Sequence, residues 1–308
     1  MKVAFAGTPE FAATILRGLL DSAHEVALVI SQPDARRGRG RKTARPPVAE
    51  AALETGIPLR QPARISEVDR EISAHDVLVV AAYGQILRTG TLHAATHGAY
   101  NVHASLLPAY RGAAPIERAI MAGETQTGVS IMRMDEGLDT GPVALRRRLP
   151  IPPDANGGDL TRALAELGAK AMVDGLDMLD HASLTLTPQD SLKATYAAKI
   201  SVEDTRIRWG GGVREARDLI RALAPHIGGA RAFHPDVDGP IKILRSKISH
   251  TEVRPLDPGE VDAAKDRIFV GCGDGVLEIL QLQKPGSRVL DAREFLRGNR
   301  LEGRFDLR

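Results

Sequence analysis

Residues Asn101–Gly141 read NVHASLLPAYRGAAPIERAIMAGETQTGVSIMRMDEGLDTG, and their reading decides the fold. The stretch opens on the end of a predicted strand, Ala99–His103. Asn101 and His103 are alternate residues on it and share one face. Ser105, Leu106, Leu107 and Pro108 leave the strand as a loop. Gly112 and Pro115 frame the start of a helix that closes near Gly123. A second strand is predicted over Thr127–Met134. It runs into Asp135-Glu136-Gly137-Leu138-Asp139-Thr140-Gly141, a tight acidic loop rich in turn residues. An amide, an imidazole and a carboxylate at strand ends and loops are the groups an acyl-type transfer needs. The amide can donate to an oxyanion, the imidazole titrates near neutral pH, and the carboxylate can orient the imidazole.

Towards the N-terminus, strands and helices alternate. Lys2–Ala6 reads as a buried strand. Thr8 is expected to cap a helix with Pro9 at its first position and an apolar face of Phe11, Ile15, Leu16, Leu19 and Leu20. Glu25–Ile30 and Asp76–Ala82 are further strands, and Pro46 and Pro47 open a helix that Gly56 ends. This alternation predicts an α/β domain with a Rossmann-like, mostly parallel sheet and ligands at the carboxyl ends of its strands. Gly7-Thr8-Pro9 is not G-x-G-x-x-G, which argues against a nicotinamide cofactor.

Towards the C-terminus a strand, Val143–Leu149, and a long helix, Asp159–Leu179, complete a domain over residues 1–183. The pattern then weakens into a polar stretch, 184–204, read as a linker. Residues 205–308 open with a helix, Val213–Leu223. Short strands follow at Ile241–Ser249, Arg267–Cys272 and Val276–Gln283, with turn signals between them, and a last helix at Asp291–Arg297. This is the pattern of a small β-barrel.

Composition agrees with a larger and a smaller globular domain: 308 residues, 43% hydrophobic and 26% charged. The first strand is broken by Pro9 and Glu10 too soon to be a signal peptide, and no apolar run approaches membrane-spanning length. The single cysteine, Cys272, excludes an internal disulfide and a cysteine-based metal cluster. A cytoplasmic enzyme is the natural reading. Charge is unevenly placed. Residues 205–308 hold 19 Lys and Arg against 15 Asp and Glu. In the loop Gln32–Arg45, Arg36, Arg37, Arg39, Arg41, Lys42 and Arg45 put six positive charges in ten residues with no acid among them. Such a segment cannot bury itself, and self-repulsion is expected to keep it mobile. Following the second strand, it should project from the sheet edge that carries the site.

The three motifs Asn-x-His-x-Ser-Leu-Leu-Pro, Arg-Gly-Ala-Ala-Pro and Asp-x-Gly-x-Asp-x-Gly together resemble the formyltransferases that use 10-formyltetrahydrofolate. The likeness covers nearly the whole chain, and within the family it is to the members that formylate methionyl-initiator tRNA. The resemblance implies that Asn101, His103 and Asp139 are catalytic. It implies a folate site between Ser105, Leu106, Leu107 and Pro108 on one side and Tyr83, Gly84 and Ile86, within Ala81–Leu87, on the other. It implies tRNA binding by the six basic residues of Gln32–Arg45 and by an OB-like C-terminal domain. The co-substrate would be 10-formyltetrahydrofolate, with no metal, no membrane association and a monomeric enzyme. The first motif alone also admits sugar-amine and glycinamide ribonucleotide formyltransferases and formyltetrahydrofolate hydrolase. A nucleic-acid-binding module on a dead catalytic fold is a further alternative, against which the intact trio argues.

Three features read more plainly. One of Leu106 and Leu107 is expected in the core. His93 and His97 have the i, i+4 spacing of zinc ligands but no adjacent glutamate in the H-E-x-x-H sense and no third ligand, and read as a solvated pair. Glu117 and Asp135 read as surface or capping groups.

Overall fold

The computed structural model describes residues 1–37, 42–250, 254–264 and 266–307. They form two compact units. The first takes in Met1–Pro115, Gln126–Pro150 and Thr161–Ala197, and the second Ile116–Thr125, Ile151–Leu160 and Ala198–Arg308.

The first unit is built on a seven-stranded sheet in the order Val143–Pro150, Gln126–Arg133, Ala99–His103, Val77–Ala81, Lys2–Gly7, Glu25–Ile30, Leu59–Arg60. The last five are parallel to one another, and Gln126–Arg133 pairs antiparallel with both of its neighbours. Val77–Ala81, read VLVVA, is buried at every position, as a strand covered on both faces must be. Helix Glu10–Leu20 buries Phe11, Ile15, Leu16 and Leu19, a stripe at helical spacing. The chain adds strands on one side of Lys2–Gly7 and then crosses to add Val77–Ala81 on the other. The crevice of this topological switch therefore lies at Gly7 and Ala81, with His103 at the end of the next strand.

Thr8 does not cap the first helix, as its sequence position implies. The cap position is Pro9, without a side-chain cap bond. The Thr8 hydroxyl instead donates to the Tyr83 carbonyl at 2.8 Å, tying the loop after the first strand to the loop after Val77–Ala81. The basic segment also differs from an unstructured loop. Ala35–Arg37 and Lys42–Ala44 pair as an antiparallel hairpin, with Arg36 opposite Thr43. Such a pair satisfies backbone groups on its facing edges. Arg39 and Arg41 lie outside the described residues. The polar stretch 184–204 is ordered: Thr187 bridges to Val143, and Tyr196–Ala197 runs parallel to Arg111–Gly112.

The second unit holds an antiparallel sheet, Ala230–Ala232, Ile241–Ile248, Gly275–Gln283, Arg267–Cys272, Val261–Ala264, with Leu290–Asp291 paired to Gly275–Gln283. An OB-like arrangement is compatible with it. Helix Val213–Leu223 gives Val213, Ala216, Ile220 and Leu223 to its core, which Trp209, Phe295 and Phe305 fill. Trp209 stacks on Phe305 at 5.3 Å between ring centroids. Glu278, buried among these strands, is bonded by Arg267 at 2.6 Å and paired with Lys247 at 3.3 Å. These partners, Arg267 first, hold its carboxyl below the ordinary range.

Asp204 accepts from Arg118 at 2.8 Å and from the Ser201 amide at 2.9 Å, and these bonds hold its carboxyl down at about 2. Its folded pKa lies below the unfolded value near ~4. The stabilisation is therefore present above about pH 4 and is lost as the pH falls towards 2. The side chain is 32% exposed, so solvent screening reduces the effect to about 1 kcal/mol. Asp204→Asn should lower the urea midpoint of the second unit at pH 6 and leave it nearly unchanged at pH 2.5. The fluorescence of Trp209, the only tryptophan, follows that unit. An equal shift at both pH values would contradict the assignment.

Candidate active site

Strand Ala99–His103 sits between Val77–Ala81 and Gln126–Arg133, with Asn101 opposite Val80 and Met132. His103 ends the strand and is buried, whereas Asn101 is half-buried. The His103 Nε2 lies 2.9 Å from the Tyr110 carbonyl oxygen. A carbonyl only accepts, so Nε2 carries the hydrogen in this contact. On the other side of the ring, Nδ1 lies 3.6 Å from Asp139 Oδ2, ion-pair range but longer than a hydrogen bond. Asp139 Oδ2 accepts instead from the Gly112 amide at 2.8 Å. The structure thus brings His103 and Asp139 together. Asn101 shares the strand face of His103, but among the described residues its amide makes no hydrogen bond to His103 or Asp139.

The loops around this pair are strained. Ala82, Tyr110 and Asp139 have φ of 43°, 58° and 54°. For a residue with a Cβ the left-handed region costs about 1–2 kcal/mol and persists only where the surroundings dictate it. Asp135 Oδ1 accepts from the Gly137 amide and the Thr140 hydroxyl, closing the acidic turn as a capping residue should. Thr89 donates to Glu136. Gln189 Nε2 donates to the carbonyls of Asp139 at 2.8 Å and Gly141 at 2.7 Å. Its Oε1 accepts from Arg111 Nε at 3.1 Å and Nη2 at 2.9 Å. Nothing in the sequence marks Gln189, which lies in the stretch read as a linker. Arg111 stood in a motif without a role.

The residues expected to line a folate site divide into two groups. The Leu107 side chain is core, packed with Met132 and Val143, and Tyr83 is core with Leu28, Ile65 and Leu78. Burial pushes the Tyr83 phenol up to about 12. The buried bulk of both side chains anchors the two loops. The Tyr83 carbonyl is held by Thr8 and by Gln32 Nε2 at 3.2 Å. Ser105 is buried, donating to the Ala109 carbonyl at 2.6 Å, while its own carbonyl accepts from Ser130. Leu106 and Pro108 remain half-buried, Gly84 is exposed with φ of 90°, and Ile86 is 90% exposed. Of the six basic residues, Arg45 lies past the hairpin and is exposed.

Two other readings have opposite outcomes. His93 and His97 are both exposed. Glu117 is not a surface group: it accepts from His226 Nε2 at 2.7 Å within the second unit and is mostly buried. Among the described residues no three His, Cys, Asp or Glu side chains are placed to hold a metal ion.

Residues 1–176 match the formyl transferase family and residues 199–300 its C-terminal domain. The chain is 64% identical to a methionyl-tRNA formyltransferase of Rubrobacter xylanophilus, over 98% of this chain and 99% of that one. It is 42% identical to one of Marinobacter nauticus, over 97% of each. Among solved structures it is similar to WlaRD, a sugar 3N-formyl transferase studied with dTDP and 5-N-formyl-THF. The identity is 19% and the TM-score 0.68, with 94% of this chain and 99% of that one covered. HypX from Aquifex aeolicus, in complex with tetrahydrofolic acid, matches at 17% identity and TM-score 0.69. Here 96% of this chain but 47% of that one is covered. At these identities the likeness to solved structures is one of fold.

Gly112 connects the strained loops. Its φ is 118°, and a Cβ added there would stand 2.8 Å from the Ala197 carbonyl oxygen, which is backbone and cannot step aside cheaply. Gly112→Ala is therefore expected to destabilise the first unit by about 1–3 kcal/mol and lower its melting temperature by several degrees. An unchanged melting temperature in calorimetry would show that the loop tolerates a side chain.

Proposed function

The chain belongs to the formyl transferase family, and from that premise we propose that it moves the formyl group of 10-formyltetrahydrofolate to the amino group of methionyl-initiator tRNA, the reaction that prepares this tRNA for translation initiation. The observation that carries the proposal is the 64% identity, over nearly both whole chains, to a methionyl-tRNA formyltransferase. The His103–Asp139 pair at a strand end of the sheet supports it.

The chemistry follows from the groups present. The attacking amine must be neutral. As its nitrogen bonds to the formyl carbon, the carbonyl oxygen gains negative charge, and the bond to the folate nitrogen then breaks. The proton lost by the amine must reach that leaving nitrogen. Asn101 supplies an amide N–H to the oxyanion without adding charge. His103, already oriented by Tyr110, stabilises the oxyanion or passes the proton. Asp139 fixes His103 from the other side and takes up the amine proton, through water at this spacing. The folate fits beside half-buried Leu106, exposed Ile86 and the open backbone of Gly84: apolar side chains next to open backbone are what a flat heteroaromatic ring packs against.

The basic hairpin takes the acceptor end of the tRNA. It leaves the sheet after Glu25–Ile30, at the same strand-end edge as His103. Arginines there neutralise phosphates and stack on unpaired bases. Residues 205–308, with their positive balance, hold the remainder of the tRNA rather than catalyse.

Asn101→Ala and His103→Ala should each lower kcat for formylation of charged initiator tRNA by about 10²–10³ with little change in KM, since each removes a transition-state interaction. Near-normal turnover in either would sink the trio. Replacing Arg41 and Lys42 together by Ala should reduce kcat/KM and flatten its salt dependence, by about one unit of slope per lost phosphate contact, while folate binding stays intact. Full activity with an unchanged slope would make the hairpin an ordinary solvated surface.

A further inference from the structure

Residues 187–197 touch both strained loops of the site. Thr187 and Val143 exchange two backbone hydrogen bonds at 2.9 Å. Thr195 Oγ1 accepts from the Tyr110 amide at 2.8 Å, and the Thr195 carbonyl accepts from Arg111 at 2.8 Å. The Ala197 carbonyl accepts from Ala113 and Ala114 at 2.9 and 3.1 Å. Tyr110 and Asp139 are the two left-handed residues beside His103, and one side chain of this segment grips each. Thr195 holds the amide of Tyr110, whose carbonyl in turn holds His103 Nε2. Gln189 holds the carbonyl of Asp139, whose carboxylate faces His103 Nδ1.

We propose that residues 187–197 are a strap that sets the spacing of His103 and Asp139, with Gln189 as a positioning residue for formyl transfer, a role that rests on the function proposed above. The amide of Gln189 suits the task. Arg111, 3% exposed, donates two N–H groups to Oε1 and so fixes which way the amide points. Both hydrogens of Nε2 then face the two carbonyls of the acidic loop, at Asp139 and Gly141. Those bonds hold Asp139 in a backbone conformation it would otherwise leave. Gln189 touches no reacting group, so its effect should appear in turnover rather than in binding.

The test is Gln189→Glu in the full chain. The variant keeps side-chain length and the contact to Arg111, but sets an oxygen against the two carbonyl oxygens that Nε2 now serves. A misplacement of the order of 1 Å near reacting groups costs about 10²-fold in rate. The expected result is a kcat for charged initiator tRNA lowered by about 10- to 100-fold, with KM for tRNA and for 10-formyltetrahydrofolate changed less than about threefold. In an Asp139→Ala background the same substitution should change single-turnover rates by less than about twofold, because the residue it positions is gone. Turnover within about threefold of the parent, a loss carried by KM, or an undiminished effect without Asp139 would each overturn the proposal. Hydrogen–deuterium exchange separates this from the assigned reaction. Gln189→Glu and Thr195→Val should speed exchange in residues 108–114 and 135–141 and leave Val77–Ala81 unchanged. Unchanged exchange in those loops refutes the strap whatever the parent catalyses, while a parent that fails to formylate charged initiator tRNA refutes the function reading and leaves the exchange result to decide the strap.

Discussion

The hydrogen bond from the Gly112 amide to Asp139 Oδ2 joins two loops that are 27 residues apart, and the candidate site depends on it. A carboxylate next to an imidazole would ordinarily turn to bond it directly. Here a backbone N–H, fixed by its own strand pairing to Ala197, takes one carboxylate oxygen first. Asp139 therefore stands beside His103 at 3.6 Å, within ion-pair range but outside hydrogen-bond contact. The His103 ring is held from the opposite side by a main-chain carbonyl. Main-chain groups thus set both partners of the pair, and main chain is harder to displace than side chain.

This arrangement requires unfavourable backbone geometry at Tyr110 and Asp139, and the surrounding bonds offset it. The same logic recurs at the switch of the sheet. There Ala82 is left-handed, and the next residue, Tyr83, is pinned by its buried ring and by two donors to its carbonyl, Thr8 and Gln32. Gln32 also stands at the root of the basic hairpin. One polar contact therefore links the segment assigned to the folate with the segment assigned to the tRNA.

The larger elements were legible because each rests on a pattern with one solution. Val77–Ala81 is a short apolar run, so it is an inner strand. Val213–Leu223 alternates at helical spacing, and its bounds in the structure are those read from the sequence. Asn101 and His103 stand two residues apart on a strand, which alone puts them on one face. The misreadings share a cause. Thr8 carried a capping signal, but a stronger partner existed 75 residues away. Glu117 looked like a surface acid until His226, 109 residues on, was folded against it. That one of Leu106 and Leu107 is core was read correctly, and the packing of Met132 and Val143 decides that it is Leu107.

What the sequence by itself determined is therefore the mostly parallel sheet, the alternation of strands and helices that builds it, and a second unit of short strands. Hydrophobic periodicity and short motifs are local, and local information reaches that far. Only the tertiary structure decided how the groups of the candidate site are held. Gln189 donates to the main-chain carbonyls of Asp139 and Gly141, 50 and 48 residues away, from a stretch whose polar composition read as a linker. A residue whose task is to satisfy distant backbone leaves no periodic trace, because its partners are peptide groups that every sequence shares.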